Sequence, residues 1–66
     1  MKLFLNGDER EITEVSSVAD LVAALGLDSR KVAVERNLKI VPRSTYAETA
    51  LAAGDRIEIV TFIGGG

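Results

Sequence analysis

The sequence closes on Val60-Thr61-Phe62-Ile63-Gly64-Gly65-Gly66, three consecutive glycines after a β-patterned run. Glycine brings no side chain to a core and loses more backbone freedom on ordering than any other residue. Elsewhere in the 66 residues the usual chemical groups are missing, because there is no His and no Cys. That removes the imidazole base, the thiolate nucleophile and the usual zinc and iron–sulfur ligands. Ser, Thr and the carboxylates remain, with no base to activate a hydroxyl in the usual way. The chain is therefore expected to hold no catalytic residue and no metal site, and to act on another protein's chemistry rather than perform its own.

What is left is the carboxylate of Gly66. The glycines read either as a frayed end or as the means by which that carboxylate is reached. The second reading is favoured because the glycines follow a strand pattern with no polar spacer and the chain starts at Met1 with no tag. A free carboxylate is a poor electrophile, whereas a mixed anhydride with AMP carries a good leaving group. Forming one requires a partner enzyme that draws the last residues into a narrow tunnel against its nucleotide. A Cβ would obstruct that tunnel, and glycine adapts its φ/ψ freely. Residues 64–66 are thus expected to form a flexible tail in which Gly64, Gly65 and Gly66 enter a partner's active site, with Gly66 the residue modified. Residues 1–63 are the folded handle.

The handle must be built from local patterns. Lys2-Leu3-Phe4-Leu5-Asn6 alternates, with Leu3 and Leu5 inward and Phe4 outward. Asn6-Gly7 is a type I′ hairpin signal, since both residues tolerate positive φ. The return strand is charged and brings Ile12 inward. Val18, Leu21, Val22 and Leu25 recur at helical spacing, with Ser17 placed to cap the start and Asp20 at the third helical position. Gly26 suits the left-handed residue after the helix, with Leu27 folding back onto Val22. Val32 and Val34 then alternate inward, Asn37 takes a tight turn, and Lys39-Ile40-Val41 forms a short strand ended by Pro42. Ser44 is expected to start a turn of helix, and Tyr46 and Leu51 to anchor on the core. Residues 52–56 form a turn before the longest β-rich run, residues 56–63.

One helical stripe needs one sheet face to cover it. A mixed sheet of four or five strands over a single main helix, an α+β arrangement of the β-grasp kind with a short extra helical turn, satisfies this. A ferredoxin-like half or a small barrel are the alternatives on pattern alone. In the last strand Ile57, Ile59, Thr61 and Ile63 share the inward face, which leaves Glu58, Val60 and Phe62 on the open one. Scattered, Phe4, Val60 and Phe62 are ordinary surface residues; clustered beside the tail, they form a partner-docking patch. Glu35, Arg36, Lys39, Arg43, Asp55 and Arg56 are expected on solvated faces and in turns, Asp55 after Gly54 needing no catalytic role.

The formal charge is −2 with acids and bases interspersed, which excludes the concentrated basic face of a nucleic-acid binder. No apolar run approaches the roughly 20 residues of a membrane span, and the N-terminus lacks the apolar stretch of a signal peptide. A soluble, cytoplasmic protein is expected, with no membrane and no nucleic acid among its partners.

Taken together, "MKLFLNG", "VAVERN" at 32–37, "IVPRSTYAETAL" at 40–51 and "GDRIEIVTFIGGG" at 54–66 resemble the ThiS family, the sulfur carriers of thiamin biosynthesis, in the ubiquitin-like β-grasp superfamily. The resemblance covers essentially the whole chain, with Gly65 and Gly66 matching the terminal pair and Gly64 preceding it. It implies a protein co-substrate, not an enzyme. An E1-like adenylating enzyme using ATP and magnesium would convert the Gly66 carboxylate to an acyl-adenylate. Sulfur from the persulfide of a cysteine desulfurase or another donor would then give a thiocarboxylate. Thiazole synthase would receive the sulfur. No cofactor would be bound by the chain itself. The alternatives are a sulfur carrier feeding molybdopterin, tRNA thiolation or cysteine, and a non-conjugating β-grasp interaction module.

Overall fold

A computed structural model describes residues 1–62. The first two strands, β1 (Lys2–Leu5) and β2 (Asp8–Glu11), form an antiparallel hairpin with Phe4 opposite Glu9 and Leu5 opposite Asp8. Asn6 and Gly7 close it at φ 49° and 85°, the left-handed pair that lets a two-residue loop follow the strand twist. Leu3 and Leu5 are buried and Phe4 is half-buried on the other face. Ile12 lies just past β2 and packs against the core.

Helix α1 (Val18–Ala24) starts where the capping chemistry predicts. The Ser17 hydroxyl accepts from the Asp20 N–H at 3.1 Å, and the Asp20 carboxylate accepts in return from the N–H of Ser17 and of Ser16. This reciprocal box satisfies donors that a helix N-terminus leaves open. The helix ends on Gly26 at φ 73°, with Leu27 N–H donating to the Val22 carbonyl and Gly26 N–H to that of Ala23. That pair of bonds is the Schellman arrangement. Val18, Leu21 and Val22 are buried.

A 3₁₀ turn at Ser29–Lys31 leads into β3 (Val32–Arg36), which pairs antiparallel with β4 (Lys39–Val41). The turn between them is Asn37-Leu38, both at positive φ, 52° and 70°. A second 3₁₀ turn occupies Arg43–Thr45. It begins one residue before Ser44, behind Pro42, whose fixed φ and missing N–H suit the position before a helical turn; no side chain caps it. Tyr46 and Leu51 are buried as anchors.

The last strand, β5 (Arg56–Thr61), runs up the middle of the sheet. Strand order is β2-β1-β5-β3-β4, with β1 and β5 parallel and the other pairs antiparallel. A five-stranded mixed sheet carrying one main helix is the β-grasp arrangement, and among the described residues β2 and β4 are free edges, so the sheet is not a closed barrel. The core sits between helix and sheet, centred on Leu3, Val18, Leu21, Val32, Val34 and Ile57. Thr61, expected inward, is exposed. The register of β1 with β5 stops at Leu5 opposite Ile57, so no β1 residue flanks Thr61 and the covered face has run out. Among the described residues no helix is long and apolar enough to cross a membrane.

Candidate functional site

The expected working group lies outside the described residues, as do Ile63, Gly64, Gly65 and Gly66. What the structure describes is the strand that leads to them and the face beside it. β5 is paired on both sides. Five residues of β3, Val32 to Arg36, pair with Thr61 to Ile57. On the β1 side the backbone ladder is short, and Asn6 lengthens it with its side chain. Its Oδ1 accepts from the Ile59 N–H at 2.8 Å and its Nδ2 donates to the Ile59 carbonyl at 3.3 Å. The amide stands in for a strand residue that β1 no longer supplies. Beyond Thr61, Phe62 N–H still donates to the Lys31 carbonyl at 2.8 Å.

The sheet face away from α1 carries the residues expected to dock a partner. Val60 is 61% exposed and Phe62 52%, and both follow the outward phase of β5. Val60 lies opposite Ala33, and Phe62 bonds beside Lys31. Phe4 shares this face but is level with Arg56. From Arg56 to Val60 is four positions along β5, roughly 13 Å at about 3.3 Å per residue. Phe4 is thus separated from Val60 and Phe62 by Arg56 and Glu58, and is flanked by Glu9 opposite it and the Lys2–Glu9 ion pair. Register between distant strands decides this spacing, and strand phase alone does not reveal it.

Two more apolar residues are exposed, Ile40 at 78% and Leu38 at 81%. Ile40 lies opposite Glu35, on the same open face. Its signal is the alternation of Lys39-Ile40-Val41: once Val41 turns inward, Ile40 must turn outward.

Below the face, one charged residue is not solvated. Asp55 is 7% exposed, against the expectation of a turn carboxylate in water. Its Oδ2 accepts from Arg36 Nε at 2.7 Å and from the Ala52 N–H at 2.8 Å, and its Oδ1 accepts from Asn37 Nδ2 at 3.1 Å. Asn37 Oδ1 in turn accepts from the Arg56 N–H. Burial pushes the Asp55 pKa up, but the bonds from Ala52, Asn37 and Arg36 outweigh it and hold the carboxyl below its ordinary value. Arg36 is likewise drawn from solvent into this pair. The network ties the β3–β4 turn to the start of β5 and has a structural role.

Arg43 donates to the Ser29 and Val32 carbonyls at 2.9 and 3.1 Å and borders a cleft of about 290 Å³ between α1 and the second 3₁₀ turn, lined by Ala19, Val22, Leu27 and Tyr46. Glu35, Lys39 and Arg56 are on exposed or partly exposed positions as expected. Among the described residues no group of acidic, His or Cys side chains is arranged to hold a metal ion.

The arrangement, a strand clamped in the sheet centre with an apolar open face, invites comparison with known proteins. The sequence matches the ThiS family over residues 3–66. It is 59% identical over 66 residues to a thiazole synthase of Paramagnetospirillum magneticum, covering 100% of this chain but only 20% of that protein. The chain thus spans a fifth of the length of that relative. It is 42% identical over 65 residues to the sulfur carrier protein ThiS of Bacillus subtilis, covering 97% of this chain and 98% of the carrier. The crystal structure of a thiamine biosynthesis protein (ThiS) from Geobacter metallireducens superposes with a TM-score of 0.83 at 30% identity, and both chains are covered in full. Sequence and fold agree along the whole length, and the chain belongs to the ThiS family.

Proposed function

We propose that this chain is a sulfur carrier of thiamin biosynthesis that works as a protein co-substrate. The observation that carries the reading is the span of the family match, which runs to residue 66 and so includes the three glycines. End-to-end similarity to the Bacillus subtilis carrier supports it.

The chemistry follows from what a carboxylate requires. A Gly66 carboxylate oxygen attacks the α-phosphorus of ATP in an E1-like adenylating enzyme, which holds the magnesium, and pyrophosphate leaves. The terminal sulfur of a persulfide, formed by a cysteine desulfurase or another donor, attacks the acyl carbon and AMP leaves. A thiol then cleaves the S–S bond, so that the carrier departs as a thiocarboxylate and the two remaining sulfurs leave as a disulfide. Thiazole synthase accepts the thiocarboxylate sulfur. Throughout, the chain's own residues position the end and catalyse nothing.

On this reading Val60 and Phe62 form the docking surface next to the tail, and Phe4, on the same face, meets the partner at a separate point. Gly64, Gly65 and Gly66 thread the active site because no Cβ obstructs them. Intact-mass measurement after incubation with the adenylating enzyme, ATP, magnesium and a persulfide source tests it. The expected result is the gain of one oxygen-to-sulfur exchange at the C-terminal residue, absent when Gly66 is deleted. No gain with both enzymes shown to be active would overturn the carrier reading.

A further inference from the structure

The two flanks of β5 do not hold it equally far. Among the described residues its β1 side is last bonded at Ile59, by the Asn6 amide. From Val60 onward the strand rests on the β3 side, with Val60 opposite Ala33 and Thr61 opposite Val32. Its last described bond runs from Phe62 N–H to the Lys31 carbonyl at 2.8 Å. Lys31 is not a strand residue but closes the 3₁₀ turn Ser29–Lys31, and such short turns have poor hydrogen-bond geometry of their own. Where β5 lets the chain go is therefore decided by what steadies that turn.

Arg43 steadies it with its side chain. β4 ends at Val41, opposite Val34, and the chain turns away at Pro42 into the 3₁₀ turn Arg43–Thr45. Continued by two positions, the same register would set residue 43 opposite Val32. The backbone of Arg43 lies in the turn instead, and its guanidinium takes the vacated place. Nη2 donates to the Val32 carbonyl at 3.1 Å and Nε to the Ser29 carbonyl at 2.9 Å. These carbonyls flank Lys31 in sequence, so one planar fork ties the start of the turn to the first residue of β3. Asp28 secures the other end of the turn, its Oδ1 accepting from the Arg30 N–H at 2.9 Å.

We propose that Arg43 is a positioning residue for the carboxyl end: by fixing Lys31 it sets where β5 releases the chain at Phe62, and so how often the Gly66 carboxylate meets the partner's nucleotide. The proposal rests on the carrier reading above. A carboxylate delivered on a short segment reacts in proportion to the time it spends in attack geometry. An anchor that wanders at Phe62 spreads that segment over more positions while Val60 keeps its place on the face, so turnover suffers before affinity does.

The test compares the wild-type chain with Arg43→Met, which keeps the length of the side chain and loses the fork, and with Arg43→Lys, which keeps the charge on a single ammonium. Pyrophosphate release by an adenylating enzyme shown to be active on the Bacillus subtilis carrier gives kcat and KM, at a temperature where thermal unfolding finds the chains folded. Amide hydrogen exchange is followed at Phe62 and, on the opposite flank, at Asn6, whose N–H donates to the Ile57 carbonyl. Arg43→Met is expected to lower kcat about tenfold with KM within about twofold of wild type. It is also expected to speed exchange about tenfold at Phe62 and to leave Asn6 unchanged. Arg43→Lys is expected to fall between the two, and it carries the test if Arg43→Met does not fold. An unchanged kcat, a raised KM at unchanged kcat, or exchange that quickens equally at Phe62 and Asn6 overturns the proposal; the second makes Arg43 a partner contact and the third a general stabiliser. Arg43→Lys equal to wild type overturns it too, because charge without the fork then suffices. No adenylation of the wild-type chain overturns the carrier reading and this proposal with it.

Discussion

The two faces of β5 make opposite uses of the same strand. Inward, Ile57 and Ile59 are buried against α1 and the hairpin, and their side chains hold the domain together. Outward, Glu58 and Val60 are exposed and lie outside the buried core. On the proposed docking reading, one strand carries a stability code and a recognition code in alternate residues, and a substitution should affect one without the other according to its parity.

The sharpest way to break that separation is on the inner face. Ile57→Ala removes a side chain that is almost wholly buried at the centre of the core. The expected loss is about 2–5 kcal/mol. A 66-residue domain holds only about 3–7 kcal/mol in all, so circular dichroism should find the variant largely unfolded near room temperature. A variant that stayed folded with wild-type stability would mean the inner face does not set the fold.

Asp55 lies between the two regimes, a charged residue serving the interior. Asp55→Ala strands the Arg36 guanidinium and the Ala52 N–H, and urea unfolding should show a loss of about 1–3 kcal/mol. The pH dependence has a definite sign. The folded-state pKa lies below the ordinary value, so this contribution is complete above about pH 4 and is lost as pH falls through the lowered folded pKa. The difference in stability between wild type and Asp55→Ala should therefore shrink on acidification below about pH 4; a difference that grew there would reverse the assignment.

The smallest effect on stability should come from the outer face. Phe62→Asp is expected to change the unfolding free energy by no more than about 0.5 kcal/mol while weakening calorimetrically measured docking to the adenylating enzyme by about 2 kcal/mol. Unfolding of this variant would instead make Phe62 a core residue.

How far the sequence revealed all this depends on the range of the interaction concerned. The Asn6-Gly7 turn, the Ser17–Asp20 box and the Gly26 cap are set by residues within a few positions of one another, and each was legible in the chain. Phase along β5 was equally legible for Ile57, Ile59, Val60 and Phe62. Register was not, because the offset between Phe4 and Val60 is fixed by the pairing of β1 with β5, across some fifty residues of intervening sequence. Asp55 was misjudged for the same reason: Gly54-Asp55 reads as a solvated turn until Arg36 and Asn37 are brought over it from β3. The Asn37-Leu38 turn is only half written in the sequence. Asn37 signals it, but Leu38 at φ 70° takes a conformation that L side chains disfavour by roughly 1–2 kcal/mol, and the Asn37–Asp55 and Asn37–Arg56 bonds hold the turn in place.

The Asn6 side chain carries a mechanical consequence. A partner that pulls on the carboxyl end loads β5 along its own axis. Flanked by β3 on one side and by β1 and the Asn6 amide on the other, the strand meets that load in shear, so its bonds must fail together rather than open one at a time as at a peeled edge. The amide at Asn6 extends the grip to Ile59, two residues past the end of the β1 ladder. If its end is drawn into another protein's tunnel, as the proposed function requires, the chain is thereby built to be tugged without unravelling.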